Sequence, residues 1–157
     1  MPKTLVTYFS ASGRTAKTAK HLAELAKADV FEIKPVQKYS GADLNWNNAN
    51  SRSSVEMKDP NSRPEIADKT SVENYDVIFV GFPIWWYVAP HIILTFLESY
   101  DFAGKTVVPF ATSGGSGVGE TEKHLHTAAP NAKWESMRML NRVSDSELKS
   151  WLESLGI

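Results

Sequence analysis

Apolar positions along this chain follow two periods, short continuous runs and widely spaced stripes, and their alternation predicts strands followed by helices. Leu5 to Phe9 is a compact run that reads as a strand. From Arg14 to Lys27 the spacing lengthens, with Ala16, Ala19, Leu22, Ala23 and Ala26 on one helical face. Val30 to Ile33 gives a second short strand. Val77-Ile78-Phe79-Val80 is the strongest strand signal, a β-branched and aromatic run of the kind found where both faces of a sheet are covered. Ile92 to Ser99 predicts a helix, Thr106 to Ala111 a strand, Gly119 to Ala128 a helix ended by Pro130, and Ser136 to Leu140 a weak strand. In the last helix Ser144 and Glu147 have capping-box spacing. Leu148, Trp151, Leu152 and Leu155 share a face there, and Gly156 suits the exit.

Five strands alternating with helices imply an α/β fold, a parallel sheet with helices on both faces. A length of 157 residues with 42% hydrophobic content predicts one domain spanning residues 1–157. Residues from about 34 to 72 form an insertion-like loop too long for an ordinary connection. Asp43 to Met57 within it has room for a helix. Trp46, with Arg52 and Arg63-Pro64, either folds over a ligand as a lid or anchors a surface helix.

In sheets of this kind ligands bind beyond the carboxyl ends of the strands, where strand order reverses. The loops after the first, third and fourth strands are all unusual. Ser10-Ala11-Ser12-Gly13-Arg14-Thr15 offers hydroxyls, backbone N–H groups and a positive helix end to an anion. Phe82-Pro83-Ile84-Trp85-Trp86-Tyr87 supplies an aromatic wall, and Thr112-Ser113-Gly114-Gly115-Ser116-Gly117 lets backbone approach a flat ligand closely. Taken singly, each has a plainer reading: a helix cap, a core plug or subunit contact, a flexible loop. Their agreement on one end of one sheet points to a mononucleotide with a wide planar ring.

Charge and composition narrow the field. A net charge of −1 with a sequence pI near 6.4 provides no basic field for nucleic acid. The absence of cysteine excludes thiol nucleophiles, thiolate metal sites and disulfides. The apolar stretch Val77 to Leu97 is divided by Gly81, Pro83 and Pro90, which argues against a membrane span. Met1-Pro2-Lys3 enters a strand pattern without an apolar signal region, so a cytoplasmic location is expected. Gly104-Lys105-Thr106 ends like a P-loop, but Ser99 stands where its first glycine belongs. Val118 breaks the nucleophile-elbow pattern at Gly114 to Gly117. His124 and His126, two apart on a helix, diverge instead of sharing a metal, and Glu120 and Glu122 suit a helix start.

Three segments together carry a family resemblance: Tyr8-Phe9-Ser10-x-Ser12-Gly13-x-Thr15, Pro83-x-Trp85-Trp86, and Gly104-Lys105-x-Val107-x-Pro109-Phe110-x-Thr112-Ser113-Gly114-Gly115-Ser116-Gly117. Over nearly its whole length the chain resembles the flavodoxin-like family. That resemblance implies a three-layer fold with five parallel strands in the order 2-1-3-4-5, and FMN as cofactor. FMN at the switch point is a placement taken over from flavodoxin itself, the standard example of the rule. It further implies that Ser10, Ser12, Gly13, Arg14 and Thr15 hold the phosphate. Pro83, Ile84, Trp85 and Trp86 would flank the ring, and Thr112, Ser113, Gly114, Gly115 and Gly117 its pyrimidine edge.

Electron-carrier members are usually strongly acidic, and many have a glycine in the third loop whose peptide flip favours one-electron chemistry. Trp85-Trp86-Tyr87-Val88 has none. Carrier and reductase roles therefore stand side by side, with a redox partner protein, or NAD(P)H plus a small acceptor, as partner, and a homodimer as a further expectation. A flavin-free, phosphoryl-accepting regulator of the same fold would need a carboxylate at the end of the third strand, where Gly81 stands.

Overall fold

Strands form where apolar runs can be covered on both sides, and helices where one apolar stripe suffices. The structure, a computed structural model, describes residues 3–11, 13–45, 47–85, 88–112, 121–141 and 143–156. In chain order its elements are β1 (Thr4–Tyr8), α1 (Arg14–Ala26), β2 (Asp29–Glu32), α2 (Arg52–Lys58), β3 (Val77–Pro83), α3 (His91–Ser99), β4 (Thr106–Thr112), α4 (Thr121–Ala128), β5 (Lys133–Trp134), β6 (Arg138–Met139) and α5 (Asp145–Ser154). The sheet runs β2-β1-β3-β4-β5, with β6 also on β4, and every pairing is parallel.

Side-chain alternation sends the two faces of the sheet to different helices. Val6, Tyr8, Val77, Phe79, Val108 and Phe110 pack with Leu22 of α1 and with Leu148, Trp151 and Leu152 of α5. Leu5, Ile78, Val80, Phe82, Val107 and Ala111 face Ile92, Ile93 and Phe96 of α3 and Leu125 of α4. The result is a three-layer fold with the strand order that the family resemblance implies. Among the described residues no helix is long and apolar enough to cross a membrane; Val77 to Leu97 divides into β3, a loop and α3.

The expected fifth strand is in fact two pieces. The carbonyls of Lys105, Val107 and Ala111 accept from the N–H groups of Lys133, Glu135 and Leu140. Pro109 alternates with these residues and faces the same edge, but proline has no N–H to donate. There Val108 and Pro109 stand opposite Glu135, Ser136 and Met137, a one-residue bulge that separates β5 from β6.

Other departures are smaller. β3 runs on to Pro83, beyond the expected end at Val80. α2 occupies only the last part of the stretch from Asp43 to Met57 and runs one residue past it, to Lys58, with Ser51 capping it by accepting from the Ser54 N–H. The capping box of α5 is present on Ser144 and Glu147.

Candidate functional site

Parallel strands put the ends of β1, β3 and β4 on one rim. Adjacent backbones are stitched there: the Phe9 N–H donates to the Gly81 carbonyl at 2.9 Å, and the Ile84 N–H to the Thr112 carbonyl at 2.9 Å. Gly81 itself admits no side chain, because a Cβ would lie 2.1 Å from Cζ of Phe110. A carboxylate therefore has no place at that strand position.

The first loop turns sharply into α1. Gly13 takes the left-handed backbone φ of 95°, and its N–H donates to Ser10 Oγ at 3.0 Å. As N-cap it brings no side-chain oxygen to the first helical turn. Arg14 opens the helix, exposed, and no acidic residue occupies the first turn. The positive helix end thus has no carboxylate from its own first turn. Thr15 is buried, and its hydroxyl pairs with that of Thr112 at 2.8 Å, tying the first loop to the end of β4. Ser12 lies outside the described residues.

In the second loop Pro83 is half-buried and Ile84 sits in the core. Trp85 and Val88 exchange two backbone hydrogen bonds, at 3.0 and 3.1 Å. The Trp85 ring stands edge-on to Phe9 at 5.7 Å and to Tyr39 at 5.4 Å, and Phe9 and Tyr39 meet at 5.6 Å. Trp86, Ser113, Gly114, Gly115 and Gly117 lie outside the described residues, as does Trp46. Among the described residues no cluster of three or more metal-ligating side chains occurs.

The family described as Flavodoxin matches residues 3–155. The chain belongs to the flavodoxin family. Among solved structures it is similar to a flavoprotein of Bacteroides eggerthii DSM 20697, at 47% identity and a TM-score of 0.95, over 100% of this chain and 99% of that one. A flavoprotein of Bacteroides uniformis ATCC 8492 is 52% identical with a TM-score of 0.91, over 97% and 98% of the two chains. A flavoprotein of Lactobacillus acidophilus NCFM, solved in complex with FMN, is 26% identical with a TM-score of 0.74, over 97% and 99%. No curated protein matches.

The insertion of this flavodoxin-family chain reaches the same rim. Tyr39 donates its hydroxyl hydrogen to Glu56 Oε1, while Glu56 Oε2 accepts from Arg52 Nε at 2.9 Å. Farther along, Ser62 Oγ donates to the Glu56 carbonyl at 2.6 Å and stands 2.5 Å from Nδ1 of His91, the first residue of α3. With that hydroxyl hydrogen already placed, Nδ1–H is the donor to Ser62. Sequence reasoning had marked Arg52 and Arg63 in this region but missed Tyr39, Glu56 and His91. The i,i+4 spacing of Arg52 and Glu56 was the one local signal. Lys105, from the P-loop look-alike, donates from Nζ to the carbonyls of Glu73 and Tyr75 at 3.0 and 2.8 Å. His126, exposed, lies against the Trp134 ring at 5.0 Å.

Burial pushes the His91 imidazole below its ordinary pKa, and Arg63 and His124 add to this against the opposing Glu56 and Asp59. A folded-state pKa below the unfolded one means stability is fully present above about 6.5, the unfolded value, and is lost as pH falls below it. Urea midpoints measured from pH 8 down to pH 5 should therefore fall more steeply for the natural chain than for His91→Asn. Parallel curves would contradict this assignment.

Proposed function

We propose that this chain binds FMN without a covalent bond and carries electrons through it. Ser10, Ser12, Gly13, Arg14 and Thr15 would hold the phosphate. The ring would lie between Pro83, Ile84, Trp85 and Trp86 on one side and Thr112, Ser113, Gly114, Gly115 and Gly117 on the other. The observation that carries this reading is the start of α1, where a glycine N-cap and a first turn without acidic residues leave the positive helix end with no carboxylate of its own turn. The FMN-bound relative from Lactobacillus acidophilus lends it support. Bound FMN supplies the redox chemistry, and the protein supplies binding and orientation. The Thr15–Thr112 hydroxyl pair ties the first turn of α1 to the end of β4.

A second reading, an FMN-dependent NAD(P)H:quinone-type reductase working by hydride transfer, is favoured by one observation. Trp85 and Val88 are joined by reciprocal hydrogen bonds, and the sequence from one to the other contains no glycine to accommodate a peptide flip. The carrier would serve a redox partner protein, the reductase NAD(P)H and a small acceptor. Under either reading the protein works in the cytoplasm, with a homodimer as its candidate assembly.

Equilibrium dialysis against riboflavin 5′-phosphate should leave the protein yellow, and a colourless protein would remove the redox assignment. Spectroelectrochemical titration of the loaded protein separates the two roles. Two resolved one-electron waves indicate the carrier; a single two-electron wave with direct oxidation of NADH or NADPH indicates the reductase.

A further inference from the structure

We propose that Arg52, Glu56 and Tyr39 form a clamp that positions Trp85 against the flavin, so that the insertion, and not the second loop by itself, sets how tightly FMN is held. The inference rests on the FMN-binding reading above and assigns the insertion a role in that site.

Among the described residues, Tyr39 is the aromatic side chain of the insertion that meets the rings of Phe9 and Trp85. Phe9 directly precedes the first loop and Trp85 lies in the second, and Tyr39 meets both edge-on, at 5.6 and 5.4 Å. Left alone, a half-buried tyrosine ring could swing about its first side-chain torsion, and Trp85 would lose its lateral support. One cation–ring contact and four hydrogen bonds prevent that. The Arg52 guanidinium lies over the Tyr39 ring, 3.8 Å from its centroid. Glu56 uses one carboxylate oxygen on the Tyr39 hydroxyl and the other on Arg52 Nε. Arg52 NH1 then donates to the Gln37 carbonyl at 2.6 Å and to the Lys38 carbonyl at 3.4 Å, securing the backbone that bears Tyr39.

The unit is shielded and self-neutralising. The side chains of Arg52 and Glu56 are only 20% and 17% exposed, and their charges cancel. Burial and the Glu56 carboxylate hold the Tyr39 phenol protonated well above its ordinary range, so the hydroxyl donor persists across the working pH range. The insertion has a second tether that does not involve Tyr39. Arg63 binds Glu98 of α3 through Nε at 2.8 Å and NH2 at 3.2 Å. It provides a control, since breaking it loosens the insertion while leaving the clamp in place.

FMN dissociation constants, from flavin absorbance titration of flavin-free protein, are compared for the natural chain, Arg52→Met, Tyr39→Ser, Tyr39→Phe and Arg63→Met, with melting temperatures and near-ultraviolet circular dichroism. A double variant, Arg52→Met with Glu56→Leu, avoids an orphaned buried charge should the single change fail to fold. Arg52→Met, the double variant and Tyr39→Ser should each weaken FMN binding at least tenfold and reduce the aromatic dichroism of the flavin-free protein. Tyr39→Phe, which keeps the ring and its cation contact but loses the hydroxyl bond to Glu56, should weaken binding less than Tyr39→Ser, and Arg63→Met should stay within threefold despite a lowered melting temperature. If the natural chain binds FMN while Arg52→Met and Tyr39→Ser bind equally well, or if Arg63→Met loses as much as they do, the clamp is overturned and FMN binding stands. If the natural chain binds no FMN, both readings fall.

Discussion

Gly81→Ala destabilises the fold by about 3 kcal/mol, the upper part of the range for overpacking a filled core. The added Cβ would sit 2.1 Å from Cζ and 2.4 Å from Cε2 of Phe110, distances no real Cβ tolerates. Phe110 has nowhere to retreat. It is fully buried, its ring meets Phe79 at 6.4 Å, and Phe79 is backed by Trp151 of α5 at 5.6 Å. Relief must come from β3 or β4 moving, and these central strands are paired from Val77↔Thr106 to Pro83↔Thr112. Urea denaturation of the purified variant measures the loss. Gly81→Ala combined with Phe110→Leu should cost less than the sum of the two single changes, because both act on the same contact. A Gly81→Ala melt within about 0.5 kcal/mol of the natural chain would show that this contact is not close-packed.

On the proposed function, FMN should bind on the order of 10²-fold more tightly than riboflavin, which has the same ring and lacks the phosphate. Hydrogen bonds to a charged group contribute about 1.5–3 kcal/mol each, and 1.4 kcal/mol is a factor of ten, so two of them suffice for this ratio. Ring contacts cancel in the comparison, leaving the phosphate loop alone. Arg14→Glu places a carboxylate at the positive start of α1, where it would compete with the phosphate, and should reduce the ratio at least tenfold while leaving riboflavin binding nearly unchanged. Titrations at two salt concentrations check this, since an electrostatic contribution weakens with ionic strength. Equal affinities for FMN and riboflavin would remove the phosphate from the first loop.

Much of the fold was legible because it is written locally. The α5 cap depends on Ser144 and Glu147, three residues apart, and both halves of the capping box form as their spacing predicts. The stripe on α1 places Ala19, Leu22 and Ala23 in the core, and the run Val77 to Val80 becomes the buried middle of the sheet. The same holds for the ends of β1, β3 and β4, from which the three loops of the sequence start. Their meeting on one rim follows from parallel pairing, which alternating strands and helices already imply.

What the order of residues determined by itself, then, was each element's type and the composition of the loops, because short-range periodicity and capping act over a few positions. Only the tertiary structure decided which distant groups touch. Pro109 splits the last strand because its missing N–H happens to face that edge, a fact of strand phase and pairing. Thr15 finds Thr112 across 97 positions. Tyr39, in a segment with no clear periodicity, becomes the contact between the insertion and Trp85 because folding brings an i,i+4 ion pair of α2 against its ring. Such contacts depend on where whole elements pack, and packing is a property of the assembled core that no local pattern encodes.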